Sequence, residues 1–128
     1  MKVLIFGTFD HFHPGHAFVL TEAMKRGDVT VIVAREKNVE RIKGRLPSQS
    51  ESERVQAIQA LFPAVTVLLG DPDDFLAPVR SIQPDRILLG YDQRLPPGVA
   101  EADLPCPIER LPAYRPEEFK SSKRLKRG

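Results

Sequence analysis

Apolar strands and helical stretches alternate along this 128-residue chain. That alternation predicts a doubly wound α/β fold, a parallel five-stranded sheet with helices on both faces. A second observation supports it: the candidate strands are unbroken apolar runs, the pattern of strands covered on both sides. A third is that the stretches between them begin and end with helix punctuation, Pro14 at one start and Gly27 past one end.

Taken in order, residues 3–6 (VLIF) are the first buried strand, and residues 14–25 the first helix. Residues 29–34 (VTVIVA) are rich in β-branched side chains and form the second strand. Residues 35–50 are polar and basic, contain Gly44 and Pro47, and read as a loop. Residues 51–61 are amphipathic, with Val55, Ile58, Leu61 and Phe62 on one face. A third strand is predicted at 65–69 and a third helix at 73–82, where Phe75, Leu76, Val79 and Ile82 are apolar. Pro84-Asp85 introduces a fourth strand at 86–89, and residues 107–111 supply a short fifth. Six prolines between Pro96 and Pro116 leave little room for regular structure there. A last helix is expected near Ser121.

Composition narrows the class. Apolar content of 41% and charged content of 28% fit one ordinary globular domain over residues 1–128. Cys106 is the single cysteine, so an internal disulfide is excluded and a reducing, cytoplasmic setting is expected. The N-terminal apolar run is too short for a signal peptide or a bilayer span, so no membrane partner is expected. The net charge of +2 says little, but residues 120–127 concentrate lysine and arginine. A solvated end, a phosphate-binding tail and a nucleic-acid contact all remain open for that segment.

In a doubly wound sheet, ligands sit at the carboxyl ends of the strands, where strand order reverses. The loops after Phe6, Ala34 and Leu89 therefore matter most. The first is Gly7-Thr8-Phe9-Asp10-His11-Phe12-His13-Pro14-Gly15-His16. It contains neither a P-loop nor a dinucleotide fingerprint, yet its physics is related. Gly7 lets backbone amides approach an anion, and Pro14 opens a helix whose free N–H groups face the same place. His13 and His16, three apart, can aim both rings at one phosphate. Gly15 keeps that approach clear.

These residues spell GTFD-x-x-H-x-G-H, which resembles the signature of the cytidylyltransferase-like nucleotidyltransferases. Lys43-Gly44-Arg45-x-Pro47 resembles that family's basic loop, and Glu53-Arg54 the pair opening its next helix. Leu89-Gly90-Tyr91-Asp92-Gln93 resembles its motif after the fourth strand. Ser121-Ser122-x-x-Leu125-Lys126 resembles its C-terminal serine motif, with Lys123 where threonine is usual. Within the family the chain looks most like archaeal-type FAD synthases, and next most like glycerol-3-phosphate cytidylyltransferases. The latter carry L-P-R-T where this chain has Leu111-Pro112-Ala113-Tyr114.

The resemblance implies the Rossmann-like fold of the HIGH superfamily, and transfer of a nucleotide from ATP or CTP to a phosphorylated acceptor with release of pyrophosphate. It implies His13, His16 and Lys43 as catalytic residues. Gly7, Thr8, Phe9, Gly15, Arg54, Gly90, Asp92, Ser121, Ser122 and Lys126 would bind the nucleotide, the last three from a phosphate-binding segment at about 117–128. Asp10 and Tyr91 would contact the acceptor. Mg²⁺ would be carried by the phosphates, with Asp10 or Asp92 as further candidates to position it. A homodimer is implied, and no nucleic acid. The resemblance to FAD synthases implies FMN with ATP, and with no riboflavin kinase domain expected, riboflavin itself should not be a substrate.

Other classes compete. Asp10 and the three histidines within residues 10–16 have the ligand types of a zinc site, but their spacing matches the transferase signature better. A nucleotide-binding regulatory module without catalysis would not need the intact histidine pair. A nucleic-acid-binding protein would use the tail and the Lys43–Arg45 loop, but no helix-turn-helix or RNA-binding aromatic motif accompanies them.

Overall fold

The computed structural model describes residues 1–91, 93–95 and 99–113, and leaves the side chains of residues 41 and 42 aside. Its centre is a five-stranded sheet of order β3-β2-β1-β4-β5. The strands are β1 (Lys2–Gly7), β2 (Asp28–Val33), β3 (Thr66–Leu69), β4 (Arg86–Leu89) and β5 (Ile108–Arg110). Every pairing is parallel. Four α-helices connect them: α1 (Pro14–Met24), α2 (Glu36–Lys43), α3 (Glu51–Leu61) and α4 (Ala77–Ile82). The chain runs outward through β1, β2 and β3, then returns to place β4 beside β1, so strand order reverses between β1 and β4.

Alternation along each strand divides the core into two layers. Val3 and Ile5 of β1 join Val31 and Val33 of β2, Leu20 and Ala23 of α1, and Ile58 of α3 on one face. Leu4 points the other way and packs with Ile32, Ile87, Leu89 and Val79 of α4. Both faces are thus covered, which is why the central strands read as unbroken apolar runs.

Two elements differ from the sequence expectation. Residues 36–43, expected as loop, form α2. Its polar sequence hides a single described apolar anchor, Val39, which is buried beside Asn38. Gly44 ends this helix in the left-handed conformation, φ 77°. The third predicted helix starts later than expected, at Ala77. Asp71 Oδ1 accepts the amides of Asp73 and Asp74, and Asp74 Oδ1 accepts that of Leu76. Those local bonds offer the backbone a turn in place of a helix.

Candidate active site

β1 ends at Gly7, and the signature loop crosses to α1 at the point where strand order reverses. A cavity of about 860 Å³ opens there, within the usual size for small-molecule sites. Gly7, Thr8, Phe9, Asp10, His13, Gly15 and His16 all line it, so one loop supplies nearly half of the expected site. Lys43, Gly90 and Tyr91 line it as well. Asp92, Ser121, Ser122 and Lys126 lie outside the described residues.

The two histidines start α1 through an unusual capping box. His13 is the N-cap, and its Nδ1 accepts the amide of Gly15 at 3.1 Å. His16 Nδ1 accepts the amide of His13 at 3.3 Å. Two orphan donors of the helix start are satisfied reciprocally. A neutral imidazole whose Nδ1 accepts must carry its proton on Nε2. Each ring therefore keeps one Nε2–H donor for a ligand. The rings stack with centroids 3.7 Å apart and planes 20° from parallel.

His16 is the more enclosed of the pair. The ring of Phe9 meets it edge-on at 5.2 Å and that of Phe12 lies at 5.3 Å. Burial, followed by the charges of His13 and Lys43, pushes its pKa down to about 4. His16 is thus a neutral donor at pH 7. The folded chain resists protonating this ring between about pH 6.5 and 4, whereas the unfolded chain accepts the proton. The stability His16 contributes is full above pH 6.5 and is lost as pH falls toward 4. The urea midpoint should therefore fall more between pH 7 and pH 5 in the wild type than in His16→Asn. Equal losses in both proteins would disprove a depressed His16.

Glycines make this geometry possible. A Cβ on Gly7 would stand 2.6 Å from the Phe9 ring, which folds back over the strand end. A Cβ on Gly15 would stand 2.9 Å from His13 Cε1 and 3.1 Å from its Nδ1. Gly15→Ala would thus push the capping ring aside, although alanine suits a helix. Turnover should drop between about 10- and 100-fold, the cost of a small misplacement of a reacting group. Thermal unfolding should show no loss of stability. A fully active Gly15→Ala enzyme would show that the position of the His13 ring is unimportant.

Two expected ligand contacts are engaged with the protein's own backbone. Arg54, expected to hold phosphates, is fully buried and is absent from the cavity wall. Its Nη1 donates to the carbonyls of Thr8 at 2.9 Å and Ala34 at 2.7 Å. Its Nε donates to that of Gln49 at 3.3 Å, while Nη2 has no partner among the described residues. Burial lowers its pKa, and Glu51, Asp10 and Glu36 oppose that shift. Asp10, expected to meet the acceptor or a metal, already uses both carboxylate oxygens. They accept the amides of Ser48 at 2.8 Å and Gln49 at 2.9 Å. Burial raises the Asp10 pKa, but those amides, with His11 and Arg54, outweigh it and lower the value. Gln49 Oε1 accepts the His11 amide in return, so Asp10 straps the signature loop to the segment before α3.

Four further residues shape the site. Parallel strands diverge at their carboxyl ends, and the carbonyls there need donors from elsewhere. Arg35 Nε donates to Gly70 at 2.7 Å. Gln93 Nε2 donates to Phe6 at 2.9 Å. Arg110 Nη1 donates to Gly90, Tyr91 and Gln93, holding the turn after β4. Asn38 Nδ2 donates to Asp71 at 3.1 Å. Each sits within a few residues of a strand end, and Gln93 also stands in the motif after the fourth strand.

Around the mouth, Lys43, Arg45 and Arg94 are exposed cations on the cavity wall. They suit a polyanionic ligand. No group of His, Cys, Asp and Glu among the described residues could cage a metal, so the zinc alternative has no support in this geometry. Such a site fits Mg²⁺ delivered on substrate phosphates, since that ion keeps several waters and needs few protein ligands. No described helix is long and apolar enough to cross a membrane.

Comparison with known proteins identifies the family. The cytidylyltransferase-like family model matches residues 4–123. An FAD synthase from Ferroglobus placidus is 50% identical over 93 residues, 72% of this chain and 60% of that relative. An FAD synthase from Methanosphaerula palustris is 41% identical over 97% of this chain and 84% of its own length. Among solved structures, a lipopolysaccharide core biosynthesis protein from Thermoplasma volcanium superposes with a TM-score of 0.78 at 31% identity. That match covers 90% of this chain and 98% of the other.

Proposed function

The chain belongs to the cytidylyltransferase-like family of nucleotidyltransferases, and from that premise we propose that it transfers AMP from MgATP to FMN, forming FAD and pyrophosphate. A phosphate oxygen of FMN attacks the α-phosphorus. The new P–O bond forms as the bond from the α-phosphorus to the bridging oxygen breaks, and pyrophosphate leaves with that electron pair. No protein nucleophile takes part, so the protein's work is positioning and charge stabilisation.

One observation carries this reading: the stacked imidazole pair, each ring with Nδ1 accepting a backbone amide and Nε2–H left over. Fixed donors of this kind stabilise charge as it builds on the α-phosphoryl oxygens. Thr8 and the helix N-terminus support the same group, and Lys43 neutralises the triphosphate. Gly90 lets the chain pass close to the nucleotide. Ser121, Ser122 and Lys126 complete the phosphate contacts in this proposal. The choice of FMN and ATP rests on the similarity to the two FAD synthases.

FMN with ATP and Mg²⁺ should yield FAD and pyrophosphate in equal amounts, read by chromatography and phosphate release. Riboflavin should give no FAD. Activity with glycerol 3-phosphate and CTP, and none with FMN, would assign the chain to a different acceptor.

A further inference from the structure

β1 and β4 part before either strand ends. Their ladder runs only from Val3–Arg86 to Ile5–Leu88. Beyond it β1 continues beside β2 as far as Gly7, and β4 beside β5 as far as Leu89. Phe6, Gly7, Gly90 and Gln93 line the cavity at this parting.

The side-chain amide of Gln93 spans the gap. Its Nε2 donates to the Phe6 carbonyl on β1 at 2.9 Å, and its Oε1 accepts the Gly90 amide just past β4 at 3.0 Å. One amide thus donates to one strand and accepts from the other, as a peptide of an intervening strand would. The backbone amide of Gln93 also donates to the Gly90 carbonyl at 3.1 Å. Arg110, at the end of β5, holds the same turn. Its Nη1 donates to the carbonyls of Gly90, Tyr91 and Gln93 at 3.0, 3.2 and 2.7 Å. Gly90 is fixed by these bonds, yet the fold itself does not require glycine there. Its φ is not left-handed, and an added Cβ would meet nothing nearer than 3.8 Å.

We propose that Gln93 and Arg110 are positioning residues for nucleotide binding: they hold Gly90 at a fixed place beside β1, and the nucleotide lies against its bare backbone. The inference rests on the proposed use of ATP and goes beyond it by giving both side chains a part. Kinetics with FMN and MgATP test it. Gln93→Met loses both bonds of the side-chain amide. It should raise KM for ATP about tenfold or more and leave KM for FMN within about twofold. A role in stability alone would lower the melting temperature and the active fraction without moving KM. Arg110→Met should show the same split. Because both side chains act on one turn, the double variant should fall well short of the product of the single effects. Gly90→Ala should melt as the wild type and still raise KM for ATP about tenfold or more, since its methyl group takes up the space of approach.

Should Gln93→Met not fold, Arg110→Met and Gly90→Ala decide. Unchanged KM for ATP in the folded variants, an equal rise for both substrates, or fully multiplicative effects in the double variant overturn the assignment. Calorimetric titration with MgATP alone repeats the comparison without an acceptor, and affinity should weaken by the same factors. A wild-type protein that binds MgATP but makes no FAD from FMN overturns the choice of acceptor, while the titration still tests Gln93 and Arg110. A wild-type protein that does not bind MgATP overturns both.

Discussion

His16→Asn is expected to lower kcat by roughly two or more powers of ten, the range for loss of one preorganised transition-state donor. Asparagine is the informative substitution. Its Oδ1 falls where the histidine Nδ1 lies, so it can still accept the His13 amide and preserve the capping box. It has no group at the Nε2 position. Helix α1 should therefore start as before, and only the donor to the phosphoryl group is lost. KM for either substrate should move less than kcat, because an interaction made chiefly in the transition state appears in kcat. His16→Gln offers the converse, a donor near Nε2 without the capping acceptor, and should retain more activity than His16→Asn. Wild-type turnover by His16→Asn would remove this ring from the chemistry.

The strands and the histidine pair were legible in the sequence for definite physical reasons. A strand buried on both faces must be apolar throughout, so residues 3–6 and 29–34 could not be mistaken for surface chain. Chemistry at the helix start fixes residue types at fixed spacing, so His13, Gly15 and His16 stood out. Helix α2 was hidden because it is short and mostly charged, with Val39 its one buried apolar side chain among the described residues. At the start of α3 the structure forms a capping box between Ser50 and Glu53. Arg35 and Arg110 escaped notice because their partners are backbone carbonyls, which have no sequence signature, whereas Gln93 stood in the motif after the fourth strand without a role of its own. Asn38 escaped for the same reason as the two arginines.

Arg54 poses the sharper question, because an arginine at a helix start looks the same in a sequence whether it meets phosphate or peptide. Its position decides. Arg54 lies in the first turn of α3, where the loops after β1 and β2 converge with residue 49, and each gives it a carbonyl. Three segments of chain are thereby joined under the signature loop. Arg54→Met keeps much of the side-chain volume but leaves those carbonyls buried and unpaired. Leaving buried acceptors unpaired costs about 1–3 kcal/mol, or a fall in melting temperature on the order of 5–10 °C for a chain of this size. Arg54→Lys should fall between, since one ammonium on a flexible stem cannot reproduce the fork that bonds through both Nε and Nη1. Turnover of the folded fraction should also drop, because Thr8 loses the tether on its carbonyl. The opposite pattern is equally readable: wild-type melting of Arg54→Met with a large rise in KM for ATP would return this residue to the triphosphate.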